Sequence, residues 1–66
     1  MGFSLLTELD REILKLLAGR GEMSSREIAS HLKRDGRKVG GRLKVLRRLK
    51  YVERNSGKYR VVRFDW

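Results

Sequence analysis

The sequence has no cysteine and no proline, and it has only one histidine, His31. Without cysteine, disulfide bonds, thiol nucleophiles and cysteine-based zinc sites are all excluded. A single histidine excludes a histidine-rich metal site, and no paired carboxylate is placed to join it. We therefore expect no metal and no cofactor, and we interpret His31 as a surface side chain on the second predicted helix.

Groups for catalysis are also missing. The carboxylates are spread through predicted helix caps and surfaces, Ser24 and Ser25 fall at a helix start, and no glycine-rich phosphate loop of the Walker type occurs. A chain of 66 residues buries only about 60% of the surface that it exposes when unfolded, which leaves little room for a deep pocket. We predict that the protein is not an enzyme and has no small-molecule ligand.

Long hydrophobic runs are absent as well. No segment approaches the roughly 18 apolar residues of a membrane span. The first ten residues, MGFSLLTELD, lack the basic region and the long apolar stretch of a signal peptide. We expect a cytoplasmic protein with no membrane partner.

Positive charge is the most prominent compositional feature. The chain has 17 Lys and Arg against 8 Asp and Glu, a formal net charge of +9 and a pI near 10.9. Residues 1–32 hold 4 basic and 5 acidic side chains, whereas residues 33–66 hold 13 basic and 3 acidic ones. A pI above about 9 with clustered positive charge is typical of nucleic-acid-binding proteins. The second half is therefore the expected binding half.

Charged residues make up 38% of the chain, glutamine is absent, and Asn55 is the only asparagine. This bias resembles that of proteins from hot environments, in which ion pairs are favoured and deamidating residues are avoided. It predicts a thermostable protein.

Three helices are predicted from caps and apolar periodicity. Thr7 with Asp10, and Ser24 with Glu27, have the spacing of capping boxes, and Asp35 is the next plausible N-cap. Each of them precedes apolar residues at helical spacing. The predicted helices cover about residues 8–18, 25–33 and 36–50.

The period changes after the third helix. The segments YVER and KYRVVRF flank NSG, a short turn that contains Gly57. Two β-rich runs around such a turn predict a hairpin over about residues 51–64. Between the first two helices, Glu22 and Met23 leave room for one short strand at most.

Two helices joined by a tight turn and followed by a basic hairpin have the organisation of a winged helix-turn-helix. The run SSREIASHLKRDGRKVGGRLKVLRRLKYV resembles the corresponding run of winged-helix regulators of the Lrp and MarR-like, archaeal type, and LTELDREILKLL is similar to their first helix. The resemblance implies one α+β domain over residues 1–66, with three helices and a two-stranded wing. The sequence departs from the family pattern where Lys50 replaces glycine before the wing and Lys33-Arg34 replaces Gly-Val.

The resemblance also implies that the third helix lies in the DNA major groove. With Val39, Leu43 and Leu46 turned inward at 100° per residue, periodicity predicts the composition of the opposite face. That face carries Arg37, Gly41, Lys44 and Arg48, with Lys38, Gly40 and Val45 beside them.

The adjacent glycines in this helix are unexpected, because each costs a helix interior roughly 0.8–1 kcal/mol relative to alanine. One explanation is that Gly40 and Gly41 let the helix approach a phosphate backbone or base edges closely, while Arg37 and Lys44 reach outward. The alternatives are that another helix of the same chain packs against the glycines, or that they have no functional cause.

Two kinds of DNA contact are expected. Arg37, Lys44 and Lys38 are placed for base contacts, of which arginine to guanine is the commonest, and Arg48 is expected to contact phosphate. The wing cations Arg54, Lys58 and Arg60 are expected to lie along the DNA backbone or in the minor groove. The alternative is that the wing cations form only a solvated sheet face.

Apolar residues near both termini have two interpretations. They close the core over the first helix and the sheet, or they form a homodimer interface, since Lrp and MarR-like proteins bind as dimers. This chain lacks the long additional helices that such dimers normally use. The residues concerned are Phe3, Leu5, Leu6, Phe64 and Trp66.

The leading functional prediction is double-stranded DNA binding by a transcription regulator associated with the nucleoid. Alternatives are a sequence-tolerant DNA-coating protein, an RNA-binding component of a ribonucleoprotein that stacks bases on Tyr51 and Tyr59, and a protein-interaction module. Winged helices that bind left-handed duplexes use asparagine and tyrosine in the recognition helix and Pro-Pro-Trp in the wing. This sequence has none of these features.

Overall fold

The computed structural model describes residues 6–66, which form three α-helices and one antiparallel sheet. The helices are α1 (Glu8–Arg20), α2 (Ser25–Leu32) and α3 (Gly36–Arg48). The strands are β1 (Met23–Ser24), β2 (Val52–Asn55) and β3 (Lys58–Val61). The predicted α+β class and the three helices are confirmed. Strands β2 and β3 are joined by a tight turn, but they belong to a three-stranded sheet and not to the predicted two-stranded hairpin.

The sheet is larger than the predicted hairpin. Met23–Ser24 pairs with Lys58 and Tyr59, so β3 is the central strand in the order β1-β3-β2. A strand of two residues has no detectable alternation of its own, and it exists because β3 offers an unpaired edge. The sheet therefore ties the start of α2 to the hairpin.

The helix starts are those that the sequence predicts. Thr7 and Asp10 exchange hydrogen bonds of 2.9 and 3.2 Å, Ser24 and Glu27 exchange bonds of 2.9 and 3.1 Å, and the Asp35 carboxylate accepts one from the backbone N–H of Arg37. In each bond a side-chain oxygen accepts from a backbone N–H that has no intrahelical partner at the start of the helix.

The helix ends differ by two residues or fewer. Helix α1 continues through Gly19 and ends before Gly21. The φ of Gly21 is 95°, a conformation that is unfavourable for any residue with a side chain. Helix α2 stops at Leu32 and α3 at Arg48, because Lys33 and Lys50 adopt left-handed backbone with φ of 55° and 69°. The hairpin turn places Ser56 and Gly57 at positive φ, as a two-residue type I′ turn requires.

The core lies between the three helices and the inner face of the sheet. Its buried hydrophobic residues include the predicted inward stripe of α3, together with Ala29 of α2. Such a stripe holds a short helix in place by packing more than by intrinsic propensity. The core residues are Leu6, Ile13, Leu14, Leu17, Met23, Ile28, Ala29, Val39, Leu43, Leu46 and Val52. No helix within residues 6–66 is long and apolar enough to cross a membrane.

Candidate nucleic-acid interface

The outer face of α3 consists of Arg37, Gly41, Lys44 and Arg48, and all four residues are exposed. The opposite stripe of Val39, Leu43 and Leu46 is fully buried, so the predicted orientation of the helix is confirmed. Lys38 is also exposed at the edge of this face, and Gly40 is half-buried. The fold therefore presents the predicted cations of α3 to solvent.

The two glycines of α3 are not explained by packing inside the protein. A Cβ atom added at Gly40 or at Gly41 would have no heavy atom within 4 Å, apart from the local backbone. The interpretation that another helix of the chain packs against them is therefore wrong. The surface above the glycines is open to an external partner.

Ion pairs divide the cations into two groups. Among residues 6–66, four basic side chains form salt bridges: Arg34 with Glu12, Arg42 with Asp10, Arg60 with Glu53, and Arg63 with Asp65. Arg37, Lys44 and Arg48 take part in none of these. Their charges are therefore not compensated by a close carboxylate in the described part of the chain, and they are available to an anionic partner.

Arg42 is the one basic residue of α3 that serves the core. Its Nε and Nη2 donate hydrogen bonds of 2.7 and 2.8 Å to the two carboxylate oxygens of Asp10, which is fully buried. Burial alone would raise the pKa of Asp10, but the hydrogen bonds from Arg42 and from the backbone of Thr7 outweigh it, so the pKa lies below its usual value. Arg42 thus joins α3 to α1 and does not belong to the outer face.

The wing cations do not form one surface. Facing residues of paired strands point to the same side of a sheet, and Arg54 lies opposite Tyr59, on the side that also carries Val52. Lys58 and Arg60 lie on the other side, where Arg60 faces Glu53 and pairs with it at 2.6 Å. Strand alternation therefore places Arg54 on one side of the sheet and Lys58 and Arg60 on the other.

Arg54 instead lines a groove between the end of α3 and the sheet. The groove has a volume of about 250 Å³, and Arg47 and Lys50 contribute two further cations to it, beside the single acid Glu53. Sequence reasoning did not assign Arg47 or Lys50 to the site. Arg47 lies outside the outer face that helical periodicity predicts. The position of Lys50 depends on the left-handed turn after α3. The one sequence feature that pointed to Lys50 is that it replaces the glycine of the family pattern.

The two tyrosines are partly occupied within the fold. The Arg63 guanidinium lies over the Tyr51 ring, 4.5 Å from its centroid, which is a cation–π distance. Tyr59 is half-buried on the central strand and packs against the core. Neither ring is freely exposed as a base-stacking platform.

The terminal apolar residues have separate environments. Leu6 belongs to the core, and Trp66 packs against it. Phe64 is 69% exposed and Val62 is 43% exposed. Phe3 and Leu5 lie outside the described residues. Among the described residues of the predicted dimer surface, Phe64 is therefore the one that remains exposed.

Residues 6–66 contain no group of three or more histidine, cysteine or carboxylate side chains that could hold a metal ion. His31 is exposed on α2.

A family model described as HVO_A0114 matches residues 5–66. No curated protein and no solved structure matches the chain.

Proposed function

The chain belongs to the HVO_A0114 family, and we propose that it binds double-stranded DNA as a transcription regulator with a winged helix-turn-helix of the Lrp and MarR-like kind. In this proposal α2 and α3 form the helix-turn-helix, α3 enters the major groove, and the hairpin of β2 and β3 is the wing. One observation carries the proposal: the outer face of α3 holds three exposed cations that pair with no carboxylate of residues 6–66, arranged around an open glycine.

The dimensions of α3 suit a DNA groove. A helix of 13 residues is about 20 Å long, and the major groove, about 12 Å wide, admits one α-helix. Arg37 and Lys44, one turn to either side of Gly41, are placed to reach base edges. Arg48, near the end of the helix, is placed for a phosphate.

The glycines give the helix a close approach. Since no atom of residues 6–66 fills the space above Gly40 and Gly41, a DNA backbone or base edge can occupy it. A methyl group on each residue would hold the helix further from the groove.

Arg54 is the wing residue that supports this arrangement best. It lies with Arg47 and Lys50 around the groove at the end of α3, so one DNA backbone can contact the helix end and the wing together. Arg60 contributes less, since Glu53 already neutralises it.

RNA binding is the second candidate, and it shares the electrostatic requirement. The RNA-binding hypothesis requires bases to stack on Tyr51 and Tyr59. However, Arg63 covers one face of Tyr51 and the core covers part of Tyr59. We therefore favour duplex DNA. A sequence-tolerant coating function would use the same cations as phosphate contacts, and it differs from regulation in showing no preferred sequence.

The test is fluorescence anisotropy across a salt series, with random and A·T-rich duplex DNA and with matched single- and double-stranded RNA. For the variant R37Q/K44Q/R48Q we expect duplex affinity to fall at every salt concentration, because two base contacts are lost, and the slope of log affinity against log salt to become shallower by about one, because Arg48 is the phosphate contact among the three and about one counterion is released per phosphate contact. The matched control is R11Q/K15Q/R20Q, which removes the same charge from exposed positions of α1. R60Q is a second control, since it removes a paired cation.

Tight duplex binding that only the α3 variant weakens would support the proposal. Equal weakening by both triple variants would mean that net charge alone drives binding and would contradict the groove model. Stronger binding to RNA than to DNA would contradict the proposal and indicate a ribonucleoprotein. No binding to either nucleic acid would also contradict it and indicate that the basic face binds a protein.

A further inference from the structure

Both turns that flank α3 place a lysine in left-handed backbone. Lys33 has φ 55° and ψ 46° at the end of α2, and Lys50 has φ 69° after α3. The two turns have the same hydrogen bonds: Lys33 N–H donates to Ser30 and Arg34 N–H to Ala29, as Lys50 does to Arg47 and Tyr51 to Leu46. In this motif the left-handed residue is usually glycine, because a Cβ atom crowds the backbone there.

The chain uses glycine at other positions of positive φ. Gly21 ends α1 with φ 95°, and Gly57 completes the hairpin turn with φ 80°. Among residues 6–66 the non-glycine residues at positive φ are Ser56, at the hairpin tip, and the two lysines. Lysine, the less favourable residue for the backbone, thus occurs at both ends of α3.

No hydrogen bond or ion pair with the side chains of residues 6–66 compensates for this conformation. The ammonium groups of Lys33 and Lys50 are exposed and form no salt bridge or hydrogen bond with the described residues. A cation at an exposed helix C-terminus gains less from the helix dipole than a Cβ atom costs in left-handed backbone, and α3 already carries Arg47 and Arg48 in its last turn. The fold therefore gives no sufficient reason for either lysine.

We infer that Lys33 and Lys50 bind phosphates of the two DNA strands on either side of the groove that receives α3. This inference rests on the proposed function and adds two contacts to it. Helix α3, about 20 Å long, is longer than the major groove is wide, about 12 Å. With the axis of α3 lying across the groove, the turns at its ends come near the two phosphate backbones, and Lys50 shares a groove of the protein with Arg47 and Arg54.

The experiment compares stability and DNA binding in the double variant K33G/K50G. We expect Tm to rise by roughly 3–8 °C, since glycine relieves the left-handed backbone. On random duplex DNA, the salt slope should become shallower by about two. K33R/K50R keeps both charges and the strained backbone, so it should retain the wild-type Tm and slope. K15Q/R20Q removes two charges from α1 and controls for net charge.

A K33G/K50G protein that is more stable and binds with the wild-type slope would overturn the inference, as would one that is less stable than wild type. A slope reduction matched by K15Q/R20Q would overturn it too, because net charge would then explain the effect. These outcomes are distinct from failure of the proposed function, in which the wild-type protein itself shows no salt-dependent binding to duplex DNA.

Discussion

Asp10 shows how one residue serves two interactions. Its carboxylate caps α1 by accepting a hydrogen bond from the Thr7 N–H, and it also accepts both bonds from Arg42. The capping role follows from the spacing of Thr7 and Asp10 along the chain. The pairing with Arg42 spans 32 residues, and no local pattern indicates it.

The lowered pKa of Asp10 predicts a pH-dependent contribution to stability. Because its folded pKa lies below its unfolded value of about 3.9, the stabilisation is complete above the unfolded pKa and is lost as pH falls through the folded pKa. We expect Asp10→Asn to lower the free energy of unfolding at pH 7 by about 2–3 kcal/mol, because it breaks a buried pair. The measurement is urea unfolding of both proteins between pH 7 and pH 2.

The difference between the two proteins should shrink as pH falls below about 4, because the unfolded wild-type chain then takes up a proton that the folded, paired carboxylate accepts only at lower pH. Arg42→Gln is the complementary variant. It should cost more at pH 7, about 3–5 kcal/mol, because it leaves the carboxylate buried without its cation. A wild-type advantage over Asp10→Asn that stays constant from pH 7 to pH 2 would contradict the assignment.

At the scale of the element, α3 is a helix of low intrinsic propensity that packing stabilises. It contains Gly36, Gly40 and Gly41, yet its buried stripe of Val39, Leu43 and Leu46 fixes it against the core. Tertiary packing supplies most of the stability of short helices. The helix can therefore carry glycines on the side that faces away from the core.

The double variant G40A/G41A separates the stability of α3 from its binding. Both positions have open space for a methyl group, so alanine should raise the free energy of unfolding by about 1–2 kcal/mol in total. If DNA approaches the glycines closely, duplex affinity should fall at the same time. Thermal unfolding and anisotropy on the same preparations measure both effects. Raised stability with unchanged affinity would refute the close approach.

The sheet shows the limit of local patterns at this scale. The turn residues and β-rich runs predict the hairpin, because its register is set by a two-residue turn. The pairing of Met23–Ser24 with β3 depends on how α1 and α2 place that segment. The same pairing and alternation put Arg54 on the other side of the sheet from Lys58 and Arg60.

At the scale of the whole molecule, the ion pairs join the acidic first half to the basic second half. Glu12 and Asp10 of α1 pair with Arg34 and Arg42. These contacts neutralise two cations that face α1, and among residues 6–66 they leave the outer face of α3 without a paired carboxylate. The charge asymmetry of the sequence thus becomes a one-sided surface.

We expect the protein to be monomeric in dilute solution without DNA. Leu6 and Trp66 are used by the core, so Phe64 and Val62 are the large hydrophobic residues that remain exposed in the described part. A stable interface buries at least about 1,000 Å², and a net charge of +9 opposes association. Sedimentation velocity over a concentration series, with Phe64→Ser as control, measures this.

A sedimentation coefficient that rises with concentration in the wild type, but not in Phe64→Ser, would contradict a monomer and support a dimer through the C-terminal apolar residues. Adding salt tests the electrostatic part, since screening weakens the repulsion between like charges.

The sequence by itself determined the three helices, their caps, the inward stripe of α3 and the hairpin turn, because these depend on residues within a few positions of one another. The tertiary structure alone decided which cations are neutralised, since ion pairs such as Arg42 with Asp10 join distant segments. It also decided the third strand, the division of the wing cations, and the left-handed backbone at Lys33 and Lys50. Packing and pairing between elements set these features, and no single segment encodes them.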